Sequence, residues 1–209
     1  LYLPDDETTF ERIYRRLLWC IISLKRNKFL AGSSDVYLYK ISNPMNIYLI
    51  RHTSVDVPAG YAYGQTDVPL KPTFEEEAEE VKKGLSDHTF DKVWTSPLTR
   101  CVRLANYCGF PEAEREDRIK EVNFGEWEMK SWNELSSDPR SEAWFKDWVN
   151  NPTPNGESLQ DQYDRVSDFL NELRKSGLQK VCLFAHGGVL TCARVYAGEY
   201  PLQDAFKNV

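Results

Sequence analysis

At 209 residues, with 41% hydrophobic, 28% charged and 13% aromatic side chains, the chain has room for one globular domain, with or without an appendage, around a single sizeable core. A formal net charge of -6 excludes a general nucleic-acid or anionic-membrane binder but leaves room for a local basic pocket that takes a small anion. Five cysteines, Cys20, Cys101, Cys108, Cys182 and Cys192, form no C-x-x-C pair and no metal-ligand spacing, so they read as small buried thiols of a reducing cytoplasm.

Asp5 to Lys28 predicts a helix with Phe10, Ile13, Leu17, Ile21 and Leu24 on one face, read as a docking or core helix in preference to one lying on a membrane. Its apolar run, Leu17 to Leu24, is far too short for a membrane span. Lys25-Arg26-Asn27-Lys28 stands where a leader peptide would carry small residues for cleavage, which argues for a cytoplasmic protein. Asn43-Pro44 then breaks the pattern and Met45 reads as a natural start, so residues 1–44 are expected to be an extension and 45–209 the working domain.

Ile47-Tyr48-Leu49-Ile50 is a short apolar run of strand formers that leads directly into Arg51-His52. A buried strand ending on a cation and an imidazole carries chemistry to its carboxyl edge, where ligands bind in open α/β sheets. The following loop, with Gly60, Tyr63, Gly64 and Gln65, suits a substrate-facing wall. Thr73 with Glu76 spells a capping box for a helix carrying Phe74, Ala78, Val81 and Leu85, whose acidic run is a solvated face.

Asp91 to Thr95 predicts a second strand, and Ser96-Pro97 a helix start that puts Arg100 in the first turn, at the same edge as His52. Arg118 to Glu128 alternates at first and reads as a strand running into a turn. Lys130 to Val149, with Trp132, Leu135, Trp144, Phe145 and Trp148, predicts two short helices broken near Asp138-Pro139, an aromatic insertion that either caps a site or fills out the core. Gly156-Glu157-Ser158 opens a long helix with Leu159, Tyr163, Val166, Phe169, Leu170 and Leu173 in period and Gly177 just beyond its end. Val181 to Ala185 is a third apolar strand, running into His186-Gly187-Gly188 and a helix from Val189. Three strand ends thus bring Arg51, His52, Arg100 and His186 to one edge.

Two guanidinium groups fit a phosphoryl group because their planar forks match its oxygens. An imidazole at their centre adds nucleophilic attack on phosphorus, with a phosphohistidine as intermediate. The attacking nitrogen of His52 must be unprotonated, so its other nitrogen is expected to donate to a backbone carbonyl. The leaving alkoxide needs a proton, for which Glu121 is preferred over Glu126 and Glu128.

Leu49-Ile50-Arg51-His52, Thr95 to Arg100, Glu121 to Glu128 and Ala185-His186-Gly187-Gly188 occur in the order seen in the histidine phosphatase superfamily, also called phosphoglycerate-mutase-like, which the chain resembles from Met45 onward. The resemblance implies an α/β three-layer sandwich with a mostly parallel central sheet, flanking helices and a small helical cap. It also implies a phosphomonoesterase in which His52 is phosphorylated, Arg51, Arg100 and His186 hold the phosphate, Glu121 donates the proton, and no metal or other cofactor takes part. Tyr63 to Leu70, beside Thr53, is most similar to the alpha-ribazole phosphatases of cobalamin synthesis. That similarity makes Thr53, Gly64 and Gln65 candidate contacts for a small phosphorylated substrate.

Thr53 departs from the superfamily's usual glycine after the nucleophile, so it must avoid positive φ, and its hydroxyl adds a polar group to the pocket. The chain also stops at Val209, short of a further strand that members usually carry, which reads as truncation. A phosphoglycerate mutase or broad sugar phosphatase of the same fold, and a non-catalytic phosphate-binding module, are the rival functions.

Overall fold

The structure, a computed structural model, describes residues 19–23 and 45–207. Its centre is a five-stranded sheet: β1 (Trp19–Ser23), β2 (Asn46–Arg51), β3 (Lys92–Thr95), β4 (Glu114–Arg115) and β5 (Lys180–Ala185). The strands lie in the order β1-β2-β5-β3-β4, with β1 antiparallel to β2 and every other pair parallel. Six helices accompany them among the described residues: α1 (Phe74–Leu85), α2 (Thr99–Tyr107), α3 (Trp132–Ser136), α4 (Ser141–Lys146), α5 (Leu159–Lys175) and α6 (Gly187–Tyr196).

Parallel strands covered on both faces read as unbroken apolar runs, and β2 and β5 are of that kind. Alternate residues serve opposite faces. Ile47, Leu49, Val181 and Leu183 join Val166, Phe169, Leu170, Val189 and Cys192 of α5 and α6 on one side. Tyr48, Ile50, Cys182 and Phe184 meet Phe74, Val81, Leu85, Cys101 and Leu104 of α1 and α2 on the other. The result is the expected three-layer sandwich with a mostly parallel sheet.

The helix expected over Asp5 to Lys28 is corrected at residues 19–23, which form β1 against β2, with Trp19 opposite Ile50 and Ser23 opposite Asn46. A short apolar run does not by periodicity tell helix from strand, and Trp-Cys-Ile-Ile is rich in strand formers facing an open sheet edge. The rest of that helix, the membrane alternative for residues 1–44 and the chain's last two residues lie outside the described residues. Among the described residues no helix is long and apolar enough to cross a membrane. The four cysteines whose side chains are described are free and buried.

The strand expected from Arg118 is also absent: Asp117–Ile119 and Gly125–Trp127 are single tight helical turns joined by irregular chain. Carbonyls that a neighbouring strand would have taken are held by the Arg165 side chain instead. The capping box predicted at Thr73 does not form. The Thr73 hydroxyl donates to Glu77 Oε1 at 2.6 Å, and Glu77 Oε2 accepts the Ser54 N–H at 2.7 Å, tying α1 to the chain just beyond β2.

Helix α2 starts at Thr99 and not at Pro97, because Asp67 takes the Thr99 N–H and hydroxyl while Ser96 turns into the site. The long helix forms as expected, and Ser158 and Asp161 cap it by bonding reciprocally. His88 is half-buried, with its ring 4.9 Å from that of Tyr48.

The aromatic insertion builds a small core of its own from Ala62, Trp127 and Leu135, with Phe124, Trp132 and Trp144 around it. Trp132 and Trp144 stack at 5.7 Å. Backbone bonds from Met129 and Trp132 to Ala62 and Gly60, and from Ala62 to Lys130, knit it to the loop after β2, so cap and loop form one unit.

Candidate active site

The carboxyl ends of β2 and β5 lie side by side, Arg51 opposite Ala185, so the residues that follow them meet. His52 is 2% exposed and His186 is fully buried, with their rings 5.2 Å apart and edge to face. The His52 N–H donates to the Ala185 carbonyl at 3.1 Å, which fixes the backbone from which the ring projects.

The His52 ring is held in one tautomer. Nδ1 lies 2.7 Å from the Thr53 carbonyl oxygen, an acceptor only, so Nδ1 carries the proton and Nε2 keeps a bare lone pair. Burial, then the charges of Arg100 and Arg51, hold the imidazole well below its ordinary pKa, although the Thr53 bond works the other way. His52 is therefore a neutral base with a free nitrogen beside two cations.

His186 has both nitrogens engaged. Arg100 Nε donates to Nδ1 at 3.3 Å, so Nε2 bears the proton and donates to Ser96 Oγ at 2.8 Å. Burial first, then Arg100 and His52, depress its pKa too. Cys101 Sγ lies 3.5 Å from Nε2 and donates to the Ala185 carbonyl, a buried thiol that desolvation keeps protonated.

Arg100 is fully buried, which a lone guanidinium could not bear. Besides His186 it donates to the carbonyls of Thr66, at 3.0 Å, and Gly64. Of five guanidinium N–H groups, three are thus engaged among the described residues and two remain for an anion. Arg51 is half-buried and passes so near Gly187 that a Cβ there would stand 3.3 Å from its guanidinium carbon.

Gly64 and Gln65 support the site by bonds to its own residues. The Gly64 carbonyl anchors Arg100, and a Cβ at Gly64 would overlap the Val122 carbonyl, so this close approach needs glycine. Gln65 Nε2 donates to the Glu121 carbonyl at 3.0 Å. The N–H groups of Gly64, Gln65, Thr66 and Phe124 all point at the Glu128 carboxylate, at 2.9 to 3.2 Å. Burial alone would push that carboxyl up, but the four bonds outweigh it and the group sits below its usual range. Glu128 is hence an anion that shapes the Arg100 loop. Neither its role nor that of Ser96 or Asp67 has any local spacing to announce it.

Glu121 reaches the same edge from the irregular segment. Its Oε2 accepts the Gly188 N–H at 3.1 Å, at the start of α6, and its Oε1 accepts from Val122 N–H at 3.0 Å and Gln162 Nε2 at 2.9 Å. Gly188 has no room for a side chain, since a Cβ would overlap Glu121 Oε1. Glu126 lies elsewhere, exposed and paired with Arg140 at 2.7 Å. Thr53 is fully buried, its backbone is not in the positive-φ region, and its hydroxyl has no partner among the described residues. Among the described residues no group of three or more His, Cys, Asp or Glu side chains is arranged to hold a metal ion.

Two buried neutral imidazoles make stability depend on pH. Unfolded, each titrates near 6.5; folded, each does so well below it. The unfolded chain therefore binds the extra protons below pH 6.5, and stability falls as pH drops, by roughly 1.4 kcal/mol per unit for each imidazole. Chemical denaturation at pH 7.5, 6.5 and 5.5 is expected to show this fall, and His52→Gln to flatten part of it. An unchanged slope in that variant would remove His52 as a source.

Comparison with known proteins gives the family of the chain. The family model described as histidine phosphatase superfamily (branch 1) matches residues 47–208. The adenosylcobalamin/alpha-ribazole phosphatase of Escherichia coli is 30% identical over 155 residues, covering 70% of this chain and 76% of that protein. Phosphoserine phosphatase 1 of Hydrogenobacter thermophilus is 30% identical over 140 residues, covering 63% and 65%. The crystal structure of the alpha-ribazole phosphatase from Shigella flexneri superposes with a TM-score of 0.71 at 26% identity, over 77% of this chain and 83% of that one.

Proposed function

The chain belongs to the histidine phosphatase superfamily and is a phosphoric monoester hydrolase, and from that premise we propose that it works through a phosphohistidine formed on His52. The observation that carries this reading is the His52 tautomer, with Nδ1–H held by the Thr53 carbonyl and Nε2 bare among guanidinium charges.

In the first displacement His52 Nε2 bonds to phosphorus as the ester P–O bond breaks, and the Glu121 carboxyl proton passes to the departing alkoxide, releasing an alcohol. In the second, the Glu121 carboxylate takes a proton from water, whose oxygen bonds to phosphorus as the P–N bond breaks, releasing phosphate and restoring both residues. Arg51 and the two remaining Arg100 donors hold the equatorial oxygens, where charge is spread in the transition state. His186 joins them by turning its Nε2–H from Ser96 to a phosphoryl oxygen. Gly64 and Gln65 act by holding Arg100 and the Glu121 segment.

The partnerless Thr53 hydroxyl, next in the chain to His52, gives the phosphoryl group one more donor. Thr53→Val keeps the shape and removes that donor. It is expected to raise the inhibition constant for inorganic phosphate by roughly 5- to 10-fold, the worth of one net hydrogen bond. An unchanged constant would place the hydroxyl outside the pocket.

For the substrate, we infer alpha-ribazole 5'-phosphate or its adenosylcobalamin-linked form. The Tyr63 to Leu70 loop and the relatives from Escherichia coli and Shigella flexneri support this reading. The test is kcat/KM on alpha-ribazole 5'-phosphate beside phosphoserine, sugar phosphates and 3-phosphoglycerate. The highest value is expected for alpha-ribazole 5'-phosphate. A preference for phosphoserine, or transfer of the phosphoryl group between positions of phosphoglycerate, would overturn that assignment while leaving the chemistry in place.

A further inference from the structure

Helix α5 lies against the segment that carries Glu121 and grips it through two polar side chains, Gln162 and Arg165, three residues apart and so on one face. Arg165 Nη1 donates to the carbonyls of Arg118 and Lys120, at 2.8 and 2.7 Å, and Nη2 to that of Glu121 at 2.9 Å. Its remaining bonds run to both oxygens of Glu157, one of which also takes the Asn123 N–H at 2.9 Å. One guanidinium and one carboxylate thus brace the backbone on both sides of Glu121.

Gln162 is 1% exposed, within a face otherwise made of Leu159, Val166, Phe169, Leu170 and Leu173. A buried amide is a costly choice there, and this one is only half satisfied: Nε2 donates to Glu121 Oε1, while its own Oε1 has no partner among the described residues. A residue kept against stability in contact with a reacting carboxyl points to a role in that carboxyl's chemistry.

We propose that Gln162 is the positioning residue of the proton donor, on a backbone that Arg165 holds in place. This rests on the reading of Glu121 as the acid. A carboxyl oxygen has two lone pairs, and those of Glu121 Oε1 are filled by the Val122 N–H and Gln162 Nε2. The proton of the acid form is therefore confined to Oε2, the oxygen that accepts the Gly188 N–H at the edge shared with His186. Gly188 has no side chain to displace the hydrogen-bonded pair, since a Cβ there would overlap Glu121 Oε1 and press on the Gln162 amide. Without Gln162 the proton is free to sit on Oε1, turned away from the leaving group.

The test is Gln162→Met, alone and combined with Glu121→Gln, with kcat/KM measured on an alkyl phosphate and on p-nitrophenyl phosphate, whose leaving group needs no proton. Gln162→Met is expected to lose roughly 10- to 100-fold on the alkyl phosphate, the cost of a misplaced catalytic group. On p-nitrophenyl phosphate the loss is expected to stay within about threefold. Its melting temperature should equal or exceed that of the wild type, the reverse of what a merely structural amide would give. Added to Glu121→Gln it should cost nothing further.

Equal losses on both substrates, or a loss that adds to that of Glu121→Gln, would overturn the proposal. If Glu121→Gln itself discriminates between the substrates and Gln162→Met does not, only the positioning role falls. If Glu121→Gln does not discriminate, the acid assignment falls and takes this one with it. Should Gln162→Met fail to fold, Gln162→Asn keeps the amide, withdraws it by one methylene, and is read against the same outcomes.

Discussion

His52→Ala is expected to lower kcat by roughly 10⁴-fold or more on every phosphomonoester, the scale seen when a covalent nucleophile is removed. The loss should not depend on the leaving group, because without Nε2 no phosphoenzyme forms whatever the alcohol. The fold should survive. The backbone bond from His52 to Ala185 does not involve the ring, and the sheet register on either side is set by β2 and β5. What the variant leaves is a small buried void and a Thr53 carbonyl without its Nδ1 donor, a cost of about 1 to 3 kcal/mol. A circular-dichroism melt beside the kinetics separates the two effects. Activity near that of the wild type would remove His52 from the mechanism.

Glu121→Gln is expected to lower kcat/KM on alkyl phosphates by about 10²- to 10⁴-fold and on p-nitrophenyl phosphate far less. The comparison uses kcat/KM because it reports only the steps through release of the alcohol. With p-nitrophenyl phosphate, kcat itself should still fall, since the second displacement needs the Glu121 carboxylate to take a proton from water. The glutamine amide keeps the shape but not the acid. Equal losses in kcat/KM on the two substrates would leave Glu121 a structural acceptor for the Gly188 N–H and send the search for the proton elsewhere.

These two residues were not equally legible in the amino-acid sequence. His52 announces itself because β2 is buried on both faces, so its run of apolar residues is unbroken and its polar ending stands out; β5 and His186 do the same. Arg100 is readable at one remove, through its place in the first turn of a helix that follows a strand. Glu121 is not, since it stands on irregular chain whose place is set by Arg165, Gln162 and Gln65, each far away in sequence. Order along the chain could single it out only through resemblance to a family.

The same reason hides Glu128 and Asp67. Apart from the Phe124 N–H on Glu128, their carboxylates gather N–H groups from segments more than 30 residues distant, so no local period or cap pattern marks them. Gln162 carries no signal of its own, because a glutamine inside an apolar helical face reads as an interruption of the face. The strand at residues 19–23 is hidden for a different reason: it is a short apolar run whose partner, the edge of β2, decides its form.

The most direct measurement is to locate the phosphoryl group during turnover. In the Glu121→Gln variant with labelled p-nitrophenyl phosphate the first displacement proceeds and the second is slowed, so label should build up on the protein, stable to alkali and lost in acid. Peptide mapping after an alkaline quench should find it on His52 Nε2 and nowhere else. A burst of nitrophenol with no label on His52, or label on any other side chain, would contradict the mechanism.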